Sequence, residues 1–103
     1  MIYVLATIEL NTGTRSQFLE LMLANVPLVE AEDGCLEYQP VIDTETGLPA
    51  QGDLRPDTVV VVEKWRDLDA LRAHLQAPHM LAYREKVKDL VQGVNLQVLS
   101  PAG

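Results

Sequence analysis

Hydrophobic and polar residues alternate from Met1 to Leu10, with Ile2, Val4, Ala6, Ile8 and Leu10 on one face and Tyr3, Leu5, Thr7 and Glu9 on the other. A period of two predicts a strand, and the apolar Tyr3 and Leu5 predict cover on both of its sides. Asn11-Thr12-Gly13 reads as a turn, and Thr14 to Gln17 has the spacing of a capping box. The period then changes to 3.6: Phe18, Leu21, Met22, Val26 and Val29 define one helix stripe. Pro27 removes a backbone donor from that helix, so a kink or a break is expected there. Gly34 suits the left-handed end of a helix.

Alternation returns at Cys35 to Ile42, with Leu36, Tyr38, Pro40 and Ile42 expected on one face. Pro40 restricts this strand to a sheet edge or a bulge. Asp43 to Asp57 carries two Gly, two Pro and four acids and reads as a long loop. Thr58 to Trp65 is the clearest strand: Val59, Val61, Glu63 and Trp65 share one face, Val60, Val62 and Lys64 the other. Asp67 is placed to cap a helix carrying Leu68, Leu71 and Leu75, which Pro78 interrupts. A further helical stretch from His79 carries Tyr83, Val87, Leu90 and Val91 and is expected to end at Gly93. Val94, Leu96 and Val98 alternate with Asn95 and Gln97 in a last strand.

This order, β-α-β-β-α-β, is the split βαβ or ferredoxin-like arrangement. It predicts an α+β fold with a four-stranded antiparallel sheet and both helices on one face. The other face would then present Val60, Val62 and their neighbours to water. An exposed apolar sheet of that size marks an interaction surface, and a homodimer packed sheet to sheet would cover it. With 103 residues, 48% of them hydrophobic and 22% charged, residues 1–103 form a single domain with one core.

Charge narrows the partners. The net charge is −7, which disfavours nucleic acid and anionic membrane surfaces. The imbalance is uneven: residues 1–63 hold two basic and eleven acidic groups, residues 64–103 six and four. The later basic groups, Arg84 among them, either form a solvated helix face or meet a small anionic or phenolate ligand. No apolar run is long enough to cross a bilayer, and Met1 leads straight into strand pattern without a secretion signal. One cysteine, Cys35, excludes an internal disulfide and fits a reducing cytosol. The expected location is cytoplasmic.

Standard site signatures are absent: the chain has no Gly-rich phosphate loop, CxxC, HExxH or GxSxG. His74 and His79 are five apart, which is not one helix face, and no third ligand accompanies them, so no metal site is expected. Cys35 reads as a small buried apolar residue rather than a reactive thiol. Trp65, the sole tryptophan, either walls a ligand pocket or fills the core. Glu63 shares its face and must be paired, with a Lys or Arg of the last helix or a capping contact as the expected partner. Either histidine could act as a base near neutral pH or serve structurally.

The run Val62-Glu63-Lys64-Trp65-Arg66-Asp67, followed by Ala70-Leu71, His74 and Ala77-Pro78-His79, resembles the antibiotic biosynthesis monooxygenase family. So does Glu32-Asp33-Gly34-Cys35-Leu36-Glu37-Tyr38 at the first helix-to-strand junction. The resemblance implies a dimeric α+β barrel. It also implies an enzyme without cofactor, in which a quinol-like or polyphenolic aromatic is deprotonated and itself reduces O2. In that reading Trp65 walls the pocket, His74 or His79 is the base, Glu63 orients a neighbour, and Tyr83 or Arg84 meets the phenolate. A non-oxidative isomerase of a small carbonyl compound and a non-catalytic ligand-binding dimer are the alternatives on the same scaffold. Two branches of the family fit less well. Val61 stands where the polyketide-oxidising branch pairs its tryptophan with asparagine. Ala6, Thr7 and Ile8 supply no first-strand asparagine for haem degradation. The 43–57 loop either varies freely at the surface or caps the pocket of a partner subunit.

Overall fold

Seven elements follow one another in the computed structural model, which describes residues 1–103: β1 (Ile2–Leu10), α1 (Arg15–Glu30), β2 (Cys35–Val41), β3 (Thr58–Trp65), α2 (Leu68–Leu75), α3 (Pro78–Val87) and β4 (Val91–Leu99). The strands form one antiparallel sheet in the order β2-β3-β1-β4. The ferredoxin-like arrangement is therefore present, with its second helix divided in two. Pro78 causes the division, since it starts α3 at the position where a missing N–H costs nothing.

Helices lie against the face formed by alternate residues of the two central strands. Val4, Ala6, Ile8 and Leu10 of β1 and Val59, Val61 and Trp65 of β3 are buried there, with Phe18, Met22 and Val29 of α1, Leu71 of α2 and Tyr83 and Val87 of α3. The period-two and period-3.6 patterns thus select the same core. On the opposite face Tyr3, Val60 and Val62 are half-buried and Leu5 is exposed. Apolar exposure also occurs on the helix side, at Val94, Leu96 and Val98 of the edge strand β4. No helix is long and apolar enough to cross a membrane.

Four local expectations change. The capping box does not form: Thr14 is not extended, and its hydroxyl donates to the Asn11 carbonyl at 2.8 Å instead of accepting from the helix. Helix α1 runs unbroken through Pro27. The carbonyl that loses a donor belongs to Leu23, on an exposed stretch of helix where water can replace the N–H. Leu90 and Val91 are not helical. α3 ends at Val87, and Val91 pairs with Leu10 at the start of β4, with a register shift that places Gly93 opposite Glu9. Finally, β2 is an edge strand, as Pro40 requires, but a bulge between Cys35 and Glu37 shifts its faces. Cys35 lies opposite Trp65 and Tyr38 opposite Glu63, so Leu36 falls off the Tyr38 face and is exposed.

The 42–57 segment has no helix or strand and is held at its base. Arg55 donates to Asp43 twice from its guanidinium, at 2.9 and 2.8 Å, and once from its backbone at 2.9 Å.

Candidate active site

Two residues of β3 separated by one must point the same way, which puts Glu63 and Trp65 side by side under the helices. Both are buried, and the indole Nε1–H donates to Glu63 Oε1 at 2.9 Å. The partner of Glu63 is therefore this indole, not the expected Lys or Arg of the last helix. The cations of α3 lie near the surface, whereas the neighbouring strand residue is already in contact. Loss of water pushes the Glu63 carboxyl up to about 7; the indole hydrogen bond opposes this and the charge of Glu32 adds to it.

His74 reaches the same place from above. The Asp67 side chain accepts from Ala70 N–H at 2.8 Å and starts α2 directly after β3. The helix's last turn consequently folds over Trp65. The His74 ring lies 4.6 Å from the Trp65 ring, centroid to centroid, and 5.5 Å from Tyr38 in an edge arrangement. Its seat depends on Gly34, whose φ is +84° and where a Cβ would sit 2.5 Å from Ala70 Cβ. Only glycine lets the α1–β2 junction approach α2 so closely.

That approach brings Glu32 to the histidines. Its Oε2 lies 2.9 Å from His74 Nδ1 and 2.7 Å from His79 Nε2. Burial pulls the His74 pKa down, against the pull of Glu32, so the ring favours its neutral form.

Between the sheet and the helices lies a cavity of about 370 Å³, mostly apolar in lining. Glu63, His74, Tyr83 and Arg84 line it, with Tyr38 and Met80 beside them. The sequence-nominated residues are thus brought together with two exceptions. Trp65 is fully buried behind His74 and Glu63 and does not line the cavity. His79 is on the outer side of Glu32, its side chain 24% exposed. Arg84 spends one N–H on the Leu75 carbonyl at 2.7 Å and has no carboxylate partner. Burial raises the pKa of both Tyr38 and Tyr83, so neither phenol ionises readily. No group of three or more His, Cys, Asp or Glu is arranged to hold a metal ion.

Glu32 and Tyr38 had no role assigned from the sequence. Their signal was the Glu32-to-Tyr38 segment itself, but nothing local says that Glu32 meets side chains 42 and 47 positions later.

Known proteins share this fold. The family model "Antibiotic biosynthesis monooxygenase" matches residues 1–86. A protein of Escherichia coli (strain K12) described as "Probable quinol monooxygenase YgiN" is 39% identical, and the match covers 98% of this chain and 98% of that one. Among solved structures, Rv0793 from Mycobacterium tuberculosis superposes with a TM-score of 0.80 at 28% identity, covering 99% of this chain and 95% of that one. PA3566 from Pseudomonas aeruginosa gives a TM-score of 0.80 at 25% identity, covering 99% and 94%.

Proposed function

The chain belongs to the antibiotic biosynthesis monooxygenase family, and from that premise we propose that it oxidises a quinol-like or polyphenolic aromatic of two or three rings with O2, using no bound cofactor. The observation that carries this reading is the apolar cavity with one neutral imidazole, His74, on its wall. Its volume lies at the low end of small-molecule sites.

His74 is the base that removes a phenolic proton. The electron-rich ring carbon then bonds to O2, which accepts the ring's electrons as a peroxide, and the imidazolium returns the proton. Cleavage of the O–O bond releases one oxygen as water, and the other stays on the ring as a carbonyl. A quinol with an unsubstituted ring carbon and one O2 thus give a hydroxyquinone and one water. Substrate supplies all the electrons, and the protein binds, orients and moves a proton. Arg84, with Tyr83, meets the developing phenolate, because its guanidinium has donors to spare. Glu63 fixes the Trp65 ring, which backs His74. His79 is not on the cavity wall and is not the base.

The working form is a homodimer in the cytosol. The apolar residues left uncovered on β4 and on the helix-free face supply the surface for a second copy, and light scattering at a twofold monomer mass tests it. Oxygen uptake with naphthoquinols and anthrones, corrected for autoxidation, tests the chemistry. Protein-dependent uptake is expected, with His74→Ala slower by about a hundredfold. The absence of protein-dependent uptake, or uptake unchanged in His74→Ala, overturns the proposal.

A further inference from the structure

Glu32 touches neither the substrate cavity nor any cation, yet it sits between two imidazoles with a single oxygen serving both. An ionised carboxylate only accepts hydrogen bonds. Both facing nitrogens, Nδ1 of His74 and Nε2 of His79, must then carry protons. For a neutral His74 this fixes the opposite nitrogen as unprotonated.

The free nitrogen has a definite surrounding. His74 Nε2 makes no hydrogen bond in the protein, and no buried side-chain nitrogen or oxygen lacks a partner. His74 keeps only 2% of its surface and lines the cavity, and its unbonded Nε2 is not among the fully buried atoms, so Nε2 shares in that remaining surface. Glu32 Oε1 obeys the same reasoning on the other side. It has no partner, and Glu32 borders an outer polar cleft with Asp33, Arg66 and Gln76. Cavity, imidazole, carboxylate and outer cleft therefore follow one another through the wall of the protein.

We infer that Glu32 is a positioning residue: held from outside by His79, its carboxylate keeps the His74 proton on Nδ1 and turns the Nε2 lone pair into the cavity. The second histidine of the pair is an anchor for Glu32, not a second base. As His74 takes a proton from substrate, the same carboxylate balances the imidazolium charge, and the proton returns by the route it came. This deepens the proposed function and rests on it for its consequence in turnover, but the tautomer is measurable without any substrate.

Long-range 1H–15N correlation of the two histidine rings in the 15N-labelled protein near neutral pH reads the tautomer directly. We expect His74 to show a protonated Nδ1 and a bare Nε2. In Glu32→Ala that single-tautomer pattern is lost, and formate, which reaches the vacated space from the outer cleft, restores it. Glu32→Leu fills the space without a hydrogen-bonding group and serves the same comparison if the alanine variant does not fold. With quinol and O2, Glu32→Ala loses about a hundredfold in kcat with KM little changed, and formate recovers part of the loss. A protonated Nε2 in the unmodified protein, or a His74 tautomer unmoved in both Glu32 variants, overturns the inference. The expected spectra in a protein that consumes no oxygen with quinols uphold the inference and overturn only the proposed activity.

Discussion

Glu63 makes the fold sensitive to pH in a direction opposite to most carboxylates. Its ordinary value is 4.5 and its value in the folded protein is about 7, because burial penalises the charged form more than the indole hydrogen bond supports it. Between these two values the native state holds a proton that the unfolded chain has lost. Stability is then fully present below pH 4.5 and falls as pH rises through 7. At about 1.4 kcal/mol for each unit of pKa, the raised carboxyl costs about 3 kcal/mol above pH 8. Glu63→Gln removes the charge and still offers Trp65 Nε1–H an amide oxygen to donate to. Urea unfolding at fixed protein concentration, at pH 5 and at pH 8.5, gives the comparison. The native protein is expected to lose about 2–3 kcal/mol more than the Glu63→Gln variant between the two conditions. Other groups titrate in that range, but they contribute alike to both proteins. Parallel pH profiles would refute the assignment of a raised Glu63 and, with it, the dryness of this end of the cavity.

Two other residues give simpler tests. Gly34→Ala combines a left-handed φ of +84° with a Cβ 2.5 Å from Ala70 Cβ, and thermal melting should show a loss of about 2 kcal/mol or more. Adding Ala70→Gly should restore the part due to the clash, and no recovery would mean that backbone strain accounts for all of the loss. Cys35 has its thiol pushed up to about 11 from 9 by burial and nearby carboxylates. Near neutral pH its alkylation should therefore be about a hundredfold slower than that of an ordinary thiol, and comparable rates would contradict the burial.

The strands and their inward faces were legible because period-two alternation is a local property, as Val4-Ala6-Ile8 and Val59-Val61 show. The bulge at Leu36 was not, because its cause is the pairing of β2 with β3, and it reassigns every face before it. Thr14 and Gln17 had the spacing of a capping box, but the hydroxyl found a nearer acceptor in the Asn11 turn. At the site, Glu63, His74, Tyr83 and Arg84 were nominated by residue type and meet at one cavity. The sequence could not say which histidine faced inward. Pro78 decides it by starting α3 at the point where His79 falls outside Glu32. Glu63 has no opposite charge for a partner, because the indole N–H two residues along the same strand already reaches its carboxylate.

The sheet order places the earliest strand, β1, at the centre of the sheet, between β3 and β4. Its two neighbours arrive late: Ile8 pairs with Val59 on one side and with Val94 on the other. On a ribosome, β1 leaves the tunnel before the other three strands and waits for β3 and β4 before both of its edges are satisfied. The β3 pairing closes half of the sheet while the β4 side still shows a bare row of N–H and C=O groups beside Ala6 and Ile8. Synthesis therefore passes through a long interval with an open, apolar strand edge, the kind of surface that chaperones hold and that seeds aggregation. Pairing of β4 with β1 ends that interval, so the delay between the emergence of β3 and that of β4 bears on how much of this protein reaches the folded state.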